Sequence, residues 1–153
     1  MKEFNYDLDY KRLDFTDQEN RKLYRIGRGE QGVLLVRPYT DDICAHWRFK
    51  TPKIAIESAH TIFDMYLDYL EEKDFIGMDM CRKFLEMGFT RSRRYANHRN
   101  GKKYDEEGNV IPQEKDHATC HFAMSATIFK KTRDVVAKNE TYVKMRKQWR
   151  SEE

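Results

Sequence analysis

The sequence predicts an α+β fold: a small N-terminal antiparallel sheet, built as a hairpin around Gly27–Gly32, packed against three to four helices. Three observations predict it. Two short apolar runs, Leu23–Ile26 and Val33–Val36, flank a glycine-rich segment as two strands flank a turn. From Thr51-Pro52 onward, apolar residues recur at steps of three and four, the spacing of a core-facing helix. The 153 residues suit one domain, and no repeat, low-complexity stretch or linker divides 1–153.

Each element follows from local chemistry. Phe4, Tyr6, Leu8 and Tyr10 alternate with polar residues, which predicts an extended segment laid on the core. Leu23–Ile26 and Val33–Val36 are the hairpin strands, and Pro38 ends the second because it cannot donate to a ladder. His46-Trp47-Arg48-Phe49-Lys50 alternates aromatic with basic and predicts a third strand, with Trp47 and Phe49 facing inward. Thr51 and Pro52 are a favoured N-cap and first helical residue. Ile56, Ala59, Ile62, Phe63, Tyr66, Leu67 and Leu70 form the apolar stripe of that helix. A break near Lys73-Asp74 leads to a second helix, which Gly88 closes in a left-handed cap or which runs on toward Ala96. Asn97–Pro112 reads as a polar loop or small hairpin. A third helix is expected from about Glu114 to Lys138, and a short fourth after Asn139.

The aromatic fraction of 13% supplies the side chains that drive collapse and excludes a disordered chain. No apolar run reaches the length of a membrane span. Met1–Tyr10 lacks the basic flank and apolar stretch of a secretory leader, so the expected location is the cytoplasm. Cys44, Cys81 and Cys120 are widely spaced and odd in number, which fits reduced thiols.

The net charge of +3 conceals blocks of alternating sign. Residues 54–81 carry seven acids against Lys73 alone, whereas 82–104 carry eight Lys and Arg against Glu86 alone. Such sorting can produce one basic and one acidic face.

Four groups of residues are candidates for chemistry. Gly27-Arg28-Gly29-Glu30-Gln31-Gly32 spells GxGxxG, but a strand-like run follows it where a dinucleotide site needs a helix. The kinase-type strand–loop–strand arrangement fails too, because no HRD or DFG segment follows. The plain alternative is a wide turn whose glycines supply positive φ. In a third reading Arg25, Arg28 and the exposed amides of the loop at Gly27, Gly29 and Gly32 grip a phosphate of a larger ligand.

The second group is Arg91, Arg93, Arg94, Arg99, Lys102 and Lys103, interleaved with Tyr95 and His98. Guanidinium forks suit phosphate oxygens and flat rings suit bases, so this segment is composed for a polyanion. The competing reading is a solvated helix end that pairs with the acidic first helix. Third, His117 and His121 stand at i and i+4 with Cys120 beside them, a legal metal-ligand spacing on a helix. Without further ligands nearby, no metal site is assigned. Finally, Asp7/Asp9 and Asp41/Asp42 are surface-type carboxylate pairs, and no nucleophile sits in a recognisable motif.

Taken together, Tyr24–Val36, His46–Pro52 and Arg93-Arg94-Tyr95-Ala96-Asn97-His98 resemble an uncharacterised domain-of-unknown-function family of bacteria and tailed bacteriophages. The resemblance runs from about Phe4 to Trp149. It implies a small stand-alone domain in a bacterial or phage-infected cell and carries no activity or site residue.

The leading expectation is therefore a non-catalytic nucleic-acid-binding protein that needs no cofactor or membrane. Arg91, Arg93, Arg94, Arg99, Lys102 and Lys103 would hold the backbone, Tyr95 would stack, and Arg28 would contribute if it lies alongside. The first rival is a protein-interaction module using its charged faces and an exposed Trp149. The second is a small enzyme acting on a phosphate-bearing metabolite through the glycine loop, Arg28 and His98. Oligomeric state is left open.

Overall fold

The computed structural model describes residues 2–153, and its regular structure is helical. In chain order the α-helices are α1 (Gln18–Arg21), α2 (Tyr39–Cys44), α3 (Pro52–Glu72), α4 (Phe75–Asn97), α5 (His121–Lys138) and α6 (Glu140–Glu152). A single 3-10 turn at Tyr10–Arg12 precedes them.

The expected N-terminal sheet does not form, which corrects the α+β assignment. Among the described residues the one β-bridge pairs Tyr104 with Val110, in the loop read as a small hairpin. Leu23 and Tyr24 close turns on Asn20 and Arg21, the rest of Leu23–Ile26 joins no strand, and Val33–Val36 is wound into turns. The reason is visible in where the backbone groups go. Local bonds close the turns: Gln31 N to Arg28 O at 3.0 Å, Val33 N to Glu30 O at 3.1 Å and Leu35 N to Gly32 O at 3.0 Å. Val33 and Val36, three apart, are the buried pair, while Leu34 is 51% exposed. A strand would have buried residues two apart. The Thr40 hydroxyl accepts from Val36 N and donates to Val33 O, both at 2.9 Å. With these groups satisfied, no ladder is required. Gly32 adopts φ +78°, and a Cβ there would lie 2.2 Å from the Phe4 ring, so the residue is fixed both by conformation and by space. Likewise, His46–Lys50 joins no ladder, although Trp47 and Phe49 do turn inward while Arg48 and Lys50 are exposed.

The long helices start and stop where side chains cap them. Thr51 accepts from Ile54 N at 3.2 Å and Pro52 occupies the first position of α3. Lys73 closes α3 in the left-handed region at φ 57°, and Asp74 then caps α4 through Gly77 N. Asn139 caps α6 through Tyr142 N at 3.1 Å. Gly88 does not end α4, which continues to Asn97. It lies in mid-helix because the Phe129 ring of α5 packs onto it, leaving 2.5 Å for an added Cβ. The third long helix begins at His121, later than expected, since 115–120 are turns.

Helix α4 is the axis of the molecule. It packs against α2, α3, α5 and α6, and along its first four turns apolar residues point in every direction. Such a helix must be enclosed. Phe75, Ile76, Met78, Met80, Cys81, Phe84 and Leu85 are all at most 2% exposed.

Three ionisable residues accompany them. Asp79 and Lys83 are fully buried, and Arg82 is nearly so. The Asp79 carboxylate accepts from Arg82 Nε at 2.9 Å, from Tyr142 Oη at 2.5 Å and from the Tyr24 hydroxyl. Lys83 Nζ lies 4.0 Å from Asp79 and donates to Gln31 O at 2.6 Å, between the rings of Phe4 and Tyr24. Burial alone would push Asp79 up, but Arg82, Lys83 and the hydrogen bonds outweigh it and bring it down to about 2. Burial lowers Lys83 to about 7 against the pull of Asp79, aided by Arg82 and Arg150.

Candidate nucleic-acid interface

The glycine segment is held from inside by cations. Arg82 donates to Gly29 O at 2.8 Å, Lys83 to Gln31 O, and Arg150 of α6 to Gly27 O at 2.9 Å. Two of its amides find side-chain acceptors: Arg28 N donates to Gln31 Oε1 at 2.9 Å and Gly32 N to Tyr6 Oη at 3.2 Å. Gly27, Gly29 and Gly32 thus shape a fixed loop with left-handed φ values. The loop displays the Arg28 side chain, 66% exposed and only loosely paired with Glu3 at 3.7 Å.

That display is positioned. Arg28 and Arg91 line one surface cleft of about 460 Å³, together with Tyr6, Gln31 and Leu34. The loop and the basic segment, 63 residues apart in sequence, therefore meet. Glu30 also borders this cleft. It accepts from Thr90 Oγ1 at 2.7 Å, and burial raises its pKa.

The basic segment itself divides. Arg91, Arg94, Lys102 and Lys103 are exposed, and no ion pair engages them among the described residues. Lys103 does lie over the Tyr104 ring. Arg93 instead is turned toward the protein, donating to Asn97 Oδ1 at 2.6 Å and His117 O at 3.0 Å. Arg99 makes a bidentate pair with Asp116 at 2.8 Å. His98 is 5% exposed and serves as the C-cap residue of α4. Among the described residues none of these is paired with the acids of α3, where Asp64 lies 3.8 Å from His60.

One helical turn beyond Arg91, Tyr95 enters an aromatic cluster. Its ring centroid is 5.4 Å from that of Phe122 and 5.8 Å from that of Phe49, which in turn is 5.1 Å from Trp47. All four are half-buried. Trp47 is anchored by its indole N–H, which donates to Phe84 O at 3.1 Å. Two clefts open beside the Tyr95–Phe122 pair, of about 740 and 620 Å³, and Lys50 borders both. From sequence, Trp47 and Phe49 were expected to face inward from a strand, and no sequence signal brought Tyr95 and Phe122 beside them.

The remaining candidates separate. His117 lies in the turns before α5 and His121 is its first residue, so no common helical face carries them. Among the described residues no group of three or more His, Cys, Asp or Glu could hold a metal ion. Trp149, expected on the surface, is half-buried instead: it stacks on Phe75 at 5.1 Å and donates to Tyr24 O at 3.0 Å. No helix of the described residues is long and apolar enough to cross a membrane.

These features define an all-helical protein with a fixed glycine loop and a basic, aromatic surface at the C-terminal end of α4. The chain belongs to the family described as Domain of unknown function (DUF4385), whose model matches residues 5–152. Neither a curated protein nor a solved structure matches it.

Proposed function

We propose that this chain is a nucleic-acid-binding protein that acts without catalysis, in a bacterial or phage-infected cytoplasm. The observation that carries this reading is the availability of the cations on α4 and the loop after it. Arg91, Arg94, Lys102 and Lys103 project without an ion pair, with Glu30 as the one acid bordering the Arg28–Arg91 cleft, although α3 holds an acidic face that could have neutralised them. Arg28 adds a fifth cation next to Arg91, and Tyr95 supplies a ring at the next turn. Guanidinium groups and aromatic faces in one track match a phosphodiester chain and its bases. Three free cysteines suit a reducing compartment.

The test is fluorescence anisotropy of labelled DNA and RNA titrated at several salt concentrations. Arg91→Gln/Arg94→Gln is the variant to compare, since Arg93 is tied to Asn97 and His117 and its loss would disturb the fold. Removing two phosphate contacts should lower the slope of log affinity against log salt by about 1.4–1.8. An unchanged slope would overturn the assignment of these residues.

A second reading, a protein-interaction module, has its own observation. The groove between α3 and α5 leaves Ile56 and Val135 56% and 57% exposed. Failure to bind any nucleic acid at about 50 mM salt, where electrostatic affinity is strong, would transfer the weight to that groove.

A further inference from the structure

We infer that the clefts beside Tyr95 and Phe122 take unpaired nucleobases, so that the substrate class is single-stranded nucleic acid. This inference rests on the nucleic-acid reading above and adds a site that the basic residues alone do not define.

The first argument is the form of the cluster. Side chains that only fill a core are enclosed by their neighbours, whereas Tyr95, Phe122, Phe49 and Trp47 stay half-buried around open space. The rings of Tyr95 and Phe122 are tilted by 31°, and those of Phe49 and Tyr95 by 37°. Both angles lie between parallel stacking, which would cover one face of each ring, and the edge-to-face arrangement, so neither pair closes flush. Cavities of this size are in the range that holds small planar ligands.

The second argument is charge. The larger cleft is bordered by Arg48 and Lys50 and by no acid. The smaller has one acid, Asp116, already held by both oxygens in the Arg99 fork. Anionic backbone can therefore pass over this rim while an apolar, π-rich floor receives a flat group. Free aliphatic or acidic peptides would match only one of those properties.

The third argument is access. In a duplex the base faces are stacked on one another and unavailable, so a ring at the bottom of a cleft can be reached only by a base that has left its stack. Arg28 and Arg91 hold backbone in either case. What distinguishes the aromatic clefts is that they discriminate.

The experiment measures anisotropy with a labelled 20-mer of dT, a 20-mer of U and a 20-bp duplex. It is run on the full chain and on Phe122→Leu, which keeps apolar volume but removes the π face. A melting curve for each verifies folding, and Lys50→Gln provides a second variant outside the core. The inference expects at least tenfold preference for the single strands. It expects Phe122→Leu to weaken their binding about 5-fold to 150-fold, the loss of one stacked base, with an unchanged salt slope. It also expects Lys50→Gln to reduce that slope. A preference confined to U would assign RNA, and equal binding of dT and U would assign unpaired strands of either sugar. Equal affinity for strand and duplex, unmoved by Phe122→Leu, would overturn the inference while leaving backbone binding in place. Absence of binding to all three probes would remove the nucleic-acid reading itself.

Discussion

Replacing Asp79 by Asn tests whether the buried charges organise this fold. Asp79 stands between Arg82 and Lys83 and accepts from two tyrosine hydroxyls. Asparagine has similar volume, so the substitution removes charge and one acceptor rather than packing. Arg82 would then lie in the interior without a counter-charge, and Lys83, already lowered to about 7, would lose the carboxylate that favours its proton. Breaking a buried pair in this way costs about 3–5 kcal/mol, a large share of the roughly 5–15 kcal/mol that holds a domain folded. At about 2–4 °C per kcal/mol for a chain of this length, the melting temperature should fall by about 6–20 °C. Circular dichroism melts at neutral pH measure it directly. Arg99→Ala, which breaks the fully exposed pair with Asp116, provides the contrast and should leave the melt unchanged. Combining Asp79→Asn with Lys83→Met should cost less than the sum of the two single changes, because the charge left unpaired by one is removed by the other. A fall below about 2 °C for Asp79→Asn, or strict additivity in the double variant, would refute the reasoning.

Stability should also respond to pH and to the packing of α4. Asp79 falls from 3.8 to about 2 in the folded protein, so the unfolded chain binds the extra proton between those values, and stability should drop as pH is lowered through that window. Lys83 falls from 10.5 to about 7, so here too the unfolded chain holds the extra proton, and stability should rise from pH 7 toward 9; urea midpoints should show that rise and Lys83→Met should flatten it. Gly88→Ala should destabilise by about 1–3 kcal/mol despite the better helix propensity of alanine, because the new methyl meets the Phe129 ring; a stabilised variant in urea unfolding would contradict the packing.

The helices were legible because their ends are written in single residues. Thr51-Pro52, Lys73-Asp74 and Asn139 cap where they were expected to, since capping is local chemistry. The error lay where satisfaction of the backbone is not local. Leu23–Ile26 and Val33–Val36 have strand composition, but the carbonyls of Arg25, Gly27, Gly29 and Gln31 are taken by Lys83, Arg150 and Arg82 from distant helices. Nothing near residue 27 announces that. Gly88 was open to two readings for a similar reason: its partner, Phe129, is 41 residues away. Within the site, Arg91, Arg94 and Tyr95 were legible from composition. Arg93 and His98 look identical in sequence, yet their turn positions direct them inward.

The buried charges and the proposed binding surface are successive stretches of one helix. A sheet would have fixed residues 25–32 by ladder bonds and spread them flat. Here Arg82 and Lys83, one turn after Asp79 on α4 and held by it, donate to the loop's carbonyls and tie it against that helix. The cost is three ionisable groups taken out of water, which a ladder of amides would have avoided. What the arrangement provides is registration. Arg28 is set beside Arg91 because the loop is tied eight to nine residues earlier on the same helix, and Tyr95 follows one turn later. A helix that carries both the anchor and the display converts its own 5.4 Å pitch into the spacing of the cations and rings along the surface. Loosening the anchor should therefore disturb Arg28 before it disturbs Tyr95, since only Arg28 reaches the track through the loop.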